Sequence, residues 1–585
     1  MAMKKATQIN ESEFSGAELI LRSLAREKVE FIFGHPGAVL ITVLDLFLKG
    51  NNIKHILTRH EQCAAHMAEG YARASGQVGV CLTTSGPGAT NLVTGIADAY
   101  MDSVPLICIT GQVATSMVGN DAFQEADIIG MTRTVTKHSY LIKNTEDLPR
   151  IFQEGFHIAR TGRPGPVLID IPKDVILGNA KEFINQKVSI RGYKPTTQGH
   201  PRQIKRVCEA IKNSKQPILY VGGGAIHSDA HKELLSLAKK AEIPVTWTLM
   251  GAGAFPNNHK LSLGMLGMHG TAYANYAVAE CDLLIAVGAR FDDRVTGKVS
   301  EFAKNAKIVH IDIDPTAIGK NKHADIPVVG DAKLILSEIN KVIKSQTRPV
   351  WIKKTQNLIK KYPLSYSSQR GKPIKPQEAI VTLSEEIGDK AIITTEVGQH
   401  QMWAAQFYNC TFPRQFISSG GLGTMGFGFP AAIGAALARP DKIAIDIAGD
   451  GSFQMVSQEL ATAVQYKINV KIFILNNASL GMVRQWQDLF MDRRFSEVEL
   501  DCSPDYVKLA EAYGACGMSI SKKTELRPAI KKMTTTPGPF ILDVNVDPDE
   551  LVFPMIPAGG STKDMIVYDS RKEKFSAKLS ALPDN

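Results

Sequence analysis

Short apolar runs recur along this chain, each followed by a longer segment with a helical pattern of apolar and polar positions. Val78-Gly79-Val80-Cys81-Leu82-Thr83-Thr84, Leu106-Ile107-Cys108-Ile109-Thr110 and Val167-Leu168-Ile169-Asp170-Ile171-Pro172 are such runs early in the chain. Pro217-Ile218-Leu219-Tyr220-Val221, Leu283-Leu284-Ile285-Ala286-Val287 and Ile308-Val309-His310-Ile311-Asp312-Ile313 follow in the middle. Lys442-Ile443-Ala444-Ile445-Asp446-Ile447-Ala448 and Val470-Lys471-Ile472-Phe473-Ile474-Leu475 come late, with a predicted helix through Glu459-Leu460-Ala461-Thr462-Ala463-Val464 between them. Apolar strands alternating with helices predict an α/β protein of doubly wound parallel sheets.

The pattern falls into three blocks, about Ser15 to Ile184, Gln203 to Ile343 and Pro376 to Asp547. A mostly polar stretch, 185–202, separates the first two, and a charged one, Lys344 to Lys372, separates the second pair. At 585 residues the chain is too long for one hydrophobic core. The expected domains are 1–190, 200–345 and 370–550, with 551–585 a tail and a possible lid. Blocks one and three could share a fold, but no convincing internal match is visible between them.

Composition narrows the class. Hydrophobic content of 44% with 21% charged residues describes an ordinary globular protein. The net charge of +9 is modest, and no dense Lys/Arg block points to nucleic acid. The eight cysteines are scattered, without a CxxC pair, and read as reduced core residues. The first residues lack the apolar segment of a signal peptide, and no apolar run reaches the length of a membrane span. The expected place is the cytoplasm, or the inside of an organelle in which the chain is made.

Gly449-Asp450-Gly451 closes one late strand and Asn476-Asn477 closes the next. An acid and an amide thus stand at the C-terminal ends of two strands joined by one crossover, where open α/β sheets bind ligands. Both offer hard oxygen ligands of the kind Mg²⁺ takes when it carries a diphosphate. Gly449 and Gly451 let backbone N–H groups approach phosphate oxygens. The 24 residues between Gly451 and Asn476 (452–475) give a spacing similar to the thiamine diphosphate (ThDP) signature. Glu61 follows the run Ile56-Leu57-Thr58 and opens a helix. Alone, a carboxylate there stabilises the helix dipole. Beside a ThDP signature it is the acid that bonds the aminopyrimidine and favours the tautomer able to take the thiazolium proton.

With these residues the chain resembles the acetohydroxyacid synthase (acetolactate synthase) catalytic-subunit family of ThDP-dependent decarboxylases, from about Ser15 to the tail. The resemblance is carried by Thr84-Ser85-Gly86-Pro87-Gly88-Ala89-Thr90-Asn91, Asp121-Ala122-Phe123-Gln124-Glu125, Gly162-Arg163-Pro164-Gly165-Pro166 and Gly288-Ala289-Arg290-Phe291-Asp292-Asp293-Arg294. Val397-Gly398-Gln399-His400-Gln401, Gly420-Gly421-Leu422-Gly423-Thr424-Met425-Gly426 and Gly481-Met482-Val483-Arg484-Gln485-Trp486-Gln487 complete it. It implies a pyrimidine-binding, an FAD-binding Rossmann-like and a diphosphate-binding domain, in that order. Glu61 is then catalytic. Gln399, His400, Gly423, Met425, Gly449, Gly451 and Ser452 join Glu61 as ThDP contacts, with Met425 under the cofactor. Mg²⁺ falls to Asp450, Asn477 and the carbonyl of Ser479. FAD falls to Arg163, Gly222, Gly223, His269, Arg290, Asp312 and Asp331. For Gly222 and Gly223 a tight turn after the strand is an equally good explanation.

Substrate contacts implied by the same resemblance are Phe123, Gln124, Lys173, Arg294, Met482, Val483 and Trp486. A core stripe would explain Met482 and Trp486 as well, since they are four apart on one helix face. The implied reaction decarboxylates pyruvate and joins the two-carbon unit to a second 2-ketoacid. Pyruvate then gives 2-acetolactate and 2-ketobutyrate gives 2-aceto-2-hydroxybutyrate, on the way to branched-chain amino acids. The implied assembly is a homodimer or dimer of dimers with the active site between subunits, and a separate small regulatory subunit. The chain departs from the family at His35, Ala38 and Val39, where Tyr, Gly and Ala are usual. A tolerated variation is the favoured explanation, and weaker ThDP binding from the lost freedom at Ala38 is the other. Competing functions are a redox pyruvate oxidase, a simple decarboxylase, a nucleotide-dependent oxidoreductase and a non-catalytic sensor.

Overall fold

The computed structural model describes residues 8–50, 52–184 and 188–568. Three six-stranded parallel sheets carry the architecture, each with helices on both faces. The first sheet runs Lys54–Leu57, Phe31–His35, Gly79–Thr83, Leu106–Gln112, Pro166–Pro172, His138–Leu141 from edge to edge. The third runs Phe416–Ser418, Ala391–Thr395, Ile443–Gly449, Val470–Asn476, Phe540–Asn545, Cys516–Ile520. Counting strands along the chain within each six-stranded sheet, both are ordered second, first, third, fourth, sixth, fifth. The blocks without an internal sequence match therefore have one topology.

The middle sheet is wound differently: Ser262–Met265, Val245–Trp247, Pro217–Val221, Leu283–Val287, Lys307–Asp312, Ile326–Val329. Its order is third, second, first, fourth, fifth, sixth, the dinucleotide-binding order with a switch point between its first and fourth strands. The central strands of all three sheets are continuous runs of buried β-branched and aliphatic residues, as sheets covered on both faces require. A short antiparallel pair, Gln8–Ser15 with Asn179–Ile184, closes the first domain.

The third domain shares apolar cores with both others. One core joins Val221 and Trp247 to Ile393 and Phe473, and another joins Met67 and Cys81 to Phe429 and Ile472. Helix Glu61–Ser75 crosses helix Gly428–Ala438 at backbone contact. A Cβ on Gly70 would overlap the Ala431 carbonyl, and one on Gly434 would overlap the Met67 carbonyl. This explains the small-residue composition of Gly428-Phe429-Pro430-Ala431-Ala432-Ile433-Gly434.

Three sequence expectations are corrected. The helix expected through Glu459 to Val464 starts as a 3₁₀ turn, Ser457–Glu459, and continues as Leu460–Gln465; a separate short helix, Asp450–Gln454, follows the glycine–aspartate turn. The charged stretch after the second block contains helix Pro349–Lys361, whose Trp351 is buried and donates its indole N–H to the Pro217 carbonyl at 3.0 Å. Six cysteines are buried, but Cys502 and Cys516 are exposed. No helix among the described residues is long and apolar enough to cross a membrane.

Candidate active site

The best-defined cluster lies at the C-terminal ends of the adjacent strands Ile443–Gly449 and Val470–Asn476. Asp450 is fully buried, and its Oδ2 has no hydrogen-bond partner. Burial pushes its carboxyl up to about 7. The chain turns at Ala478, whose φ of 53° is left-handed, and brings the Ser479 carbonyl back beside Asn477. The Asn477 side-chain oxygen lies 3.0 Å from that carbonyl oxygen and 3.2 Å from Asp450 Oδ1. With the Asn477 amide in this orientation, three oxygens, one of them on a carboxylate, converge with no N–H between them. Such a set repels itself in the absence of a cation. Mg²⁺ holds oxygens at about 2.1 Å in an octahedron, which sets adjacent ligands about 3.0 Å apart. The observed spacings fit that edge.

The neighbouring residues form a cradle. Gln399 and His400 open helix Gln399–Phe407 and are almost fully buried. Burial holds the His400 imidazole neutral, down to about 3, and its Nε2 is unpartnered. A Cβ at Gly449 would come within 2.6 Å of His400 Nδ1, so glycine is required there by close approach. At Gly451 a Cβ would come within 2.7 Å of Leu480 Cδ2. Ser452 is buried, with its hydroxyl donating to the Gly449 carbonyl at 3.3 Å. Met425 stands half-buried in the loop between Gly423, at φ 75°, and Gly426, at φ 88°. Sequence reasoning passed over Glu396, whose carboxylate holds this loop by accepting from the N–H groups of Gly426 at 2.6 Å and Phe429 at 3.0 Å.

A second cluster lies in the first domain. Glu61 opens its helix behind the N-cap His60, and its Oε2 accepts from Asn91 Nδ2 at 2.9 Å. Asn91 was quoted in a sequence motif without a role. Gly86, at φ 59°, turns the chain into the short helix Pro87–Thr90 against Gln124, itself at φ 59°. Phe123 is 89% exposed and Lys173 is exposed too. The strand that precedes Glu61 is tied to the third domain. The N–H groups of Arg59 and His60 both donate to Glu459 Oε1 at 3.0 Å, and Thr462 Oγ1 donates to the Leu57 carbonyl at 3.2 Å.

A cavity of about 930 Å³ occupies the switch point of the middle sheet and extends to the third domain. All seven residues expected around FAD line it: Arg163, Gly222, Gly223, His269, Arg290, Asp312 and Asp331. A Cβ at Gly222 would overlap the Gly288 carbonyl, so this glycine does serve a tight crossing of strand ends as well. Asp312 ends its strand, and burial raises its carboxyl to about 6. Asp331 is already used as the N-cap of helix Ala332–Val342, accepting from the Leu334 N–H at 3.0 Å. The strand order, the acid at a strand end, the two arginines and a volume at the upper end for ligand pockets fit a dinucleotide such as FAD. Arg294, Gly423, Met482 and Trp486 line the same cavity at its far end, whereas Val483, 52% exposed, does not, and neither do Phe123, Gln124 and Lys173.

A fold of three parallel sheets with an acid and an amide converging at the strand ends of the third fits the class of thiamine diphosphate enzymes. Three families match in order along the chain: the N-terminal thiamine pyrophosphate-binding domain of such enzymes over residues 14–131, their central domain over 204–339 and their C-terminal thiamine pyrophosphate-binding domain over 396–544. A probable acetolactate synthase large subunit of Methanocaldococcus jannaschii is 52% identical over 94% of this chain and 95% of its own. The acetolactate synthase large subunit of Corynebacterium glutamicum is 48% identical over 97% and 93%. The acetolactate synthase of Mycobacterium leprae is 47% identical over 96% and 92%. The chain belongs to the acetolactate synthase large-subunit family.

Proposed function

We propose that this chain condenses two 2-ketoacids, releasing CO₂ from pyruvate and joining the remaining two-carbon unit to pyruvate or 2-ketobutyrate. The observation that carries the reading is the triangle of Asp450, Asn477 and Ser479 oxygens, which suits a divalent cation and through it a diphosphate. Mg²⁺ is the cation these hard ligands suit. Bound ThDP would supply a nucleophilic carbon that attacks the keto group and an electron sink for decarboxylation.

The chain's own residues do the rest. Glu61 holds or yields a proton at its carboxyl beside the pyrimidine, with Asn91 fixing its orientation. Gln399, His400, Gly449, Gly451 and Ser452 would hold the diphosphate, and Met425, on the loop that Glu396 holds, would contact the cofactor. Arg294 suits a substrate carboxylate. Met482 and Trp486 shape the space for the acceptor, and exposed Val483, Phe123 and Lys173 with partly buried Gln124 complete the approach. Water must be kept from the reacting carbon, or protonation diverts the product to an aldehyde. FAD bound in the middle cavity need do no net redox.

The site is shared between two copies of the chain. Phe123, Met117 and Val118 near the first cluster and Leu422, Met455 and Val483 near the second are exposed apolar side chains, which a second copy would cover. The relatives called large subunits support a separate small partner subunit. The test is acetolactate formation from pyruvate with and without ThDP, Mg²⁺ and FAD. Product should require ThDP and the metal and form without oxygen consumption. Oxygen-dependent turnover with peroxide release would favour a flavin oxidase, and CO₂ release with acetaldehyde as sole product a simple decarboxylase.

A further inference from the structure

Asn477 presents an oxygen and an NH₂ group on one planar amide, so it can face a cation with either end. Only the oxygen can bind. We propose that Gln485 is a positioning residue that sets, through Gln399, which end of Asn477 faces the metal. The proposal rests on the divalent-cation reading of Asp450, Asn477 and Ser479 given above.

The argument follows polarity along a chain of amides. Asn477 Nδ2 donates to Gln399 Oε1 at 3.2 Å. Gln399 Nε2 points the other way and donates to Gln485 Oε1 at 2.9 Å and to the Glu550 carbonyl at 3.2 Å. Gln485 ends the chain on the backbone of one residue, Val552. Its Oε1 accepts the Val552 N–H at 2.8 Å, and its Nε2 donates to the Val552 carbonyl at 3.2 Å and to Met555 Sδ at 3.5 Å. A side-chain amide can be reversed, but a backbone N–H only donates and a carbonyl only accepts. Val552 therefore fixes Gln485, Gln485 together with the Glu550 carbonyl fixes Gln399, and Gln399 fixes Asn477 with its oxygen towards Asp450 and Ser479. Reversing any one member sets oxygen against oxygen or NH₂ against NH₂.

Burial makes this polarity binding. Gln485 is fully buried and Gln399 is 4% exposed, so water does not stand in for a lost partner. The neighbouring glycine makes room: a Cβ on Gly481 would overlap Gln399 Oε1 and stand 2.7 Å from Asn477 Nδ2. Val552 and Met555 are themselves fully buried, so the anchor is firm. A simpler role for Gln485 would be to tie helix Gly481–Phe490 to residues 551–556. That role predicts no dependence on what occupies position 477.

The experiment titrates Mn²⁺ into the full-length protein with ThDP present and reads binding by electron paramagnetic resonance, with a thermal midpoint of the metal-free protein for each variant. Gln485→Met keeps the bulk and removes the polarity. It should weaken Mn²⁺ binding roughly 10–100-fold in the parent, but less than about threefold in an Asn477→Asp background, where both side-chain ends are oxygens. Gln485→Glu at pH 8, which has no N–H for the Val552 carbonyl, gives the same comparison if Gln485→Met does not fold. Unchanged Mn²⁺ affinity in the parent background, or an equal loss in both backgrounds, overturns the relay. A parent protein that binds no Mn²⁺ in the presence of ThDP overturns the cation reading, and the relay with it.

Discussion

The first and third domains wind their strands in the same order, yet they place opposite kinds of chemistry at the strand ends. In the third, Asp450, Gln399 and His400 are buried, and hydrogen-bonded amides tie Gln399 to Asn477 and Gln485. In the first, Glu61 stands half-buried, while Phe123 in its loop and Lys173 at the start of helix Lys173–Leu177 face solvent. One domain is a finished cradle and the other a finished tool with nothing yet to work on. The difference teaches that two domains of one topology can present opposite surfaces: an enclosed one suits ion and phosphate binding, and an open one suits proton handling that another surface completes.

The sharpest way to break this comparison is to remove one side at a time. Asp450→Ala should abolish turnover and the response to Mg²⁺, measured by acetolactate formation. Glu61→Gln should lower kcat by roughly 10²–10⁴-fold while leaving divalent-cation binding intact. An unchanged rate would remove Glu61 from the chemistry. Co-expressing the two inactive chains tests whether the halves meet across subunits. Random dimers would then recover about a quarter of the activity, because half are mixed and each mixed dimer has one intact site. No recovery would put both halves in one chain.

Smaller effects probe the cradle. Burial raises the metal-free Asp450 carboxyl to about 7, far above its unfolded value, so its proton must leave before a cation binds. Metal affinity should fall about tenfold for each pH unit below 7 and level off above it. By the same sign, ionising Asp450 costs the metal-free fold stability as pH rises from about 4 towards 7, and metal should restore it. Trp486→Leu should change the ratio of the two acceptors by roughly tenfold with little effect on the metal, read by competition between pyruvate and 2-ketobutyrate. Ala38→Gly should change ThDP half-saturation by less than about twofold, because Ala38 sits in a 3₁₀ turn and not at positive φ.

Much of this was legible in the chain. The strands Pro217–Val221 and Leu283–Val287 were placed to the residue, because continuous apolar runs bounded by polar and glycine punctuation leave little freedom. The glycine–aspartate and asparagine turns were legible because strand ends at a switch point tolerate few residue types. Three things were not. The shared strand order of the first and third domains is carried by backbone pairing that unrelated apolar residues satisfy equally well. The helix Pro349–Lys361 hides behind lysines, since only Trp351 and Thr355 of its residues are buried. Gln485 was visible only as part of a motif, because its role depends on Val552, 67 residues further on.

The crossing of helices Glu61–Ser75 and Gly428–Ala438 has a consequence for how this protein can change. At Gly70 and Gly434 main chain rests on main chain, so there is no side chain there to trim, swap or let out. Any larger residue forces the helices apart and carries Glu61 with them. Gradual adjustment of the spacing is closed off at this contact, and variation that survives must gather in the loops at the strand ends. His35, which ends strand Phe31–His35, and Ala38 and Val39, in the 3₁₀ turn that follows, lie at such a strand end.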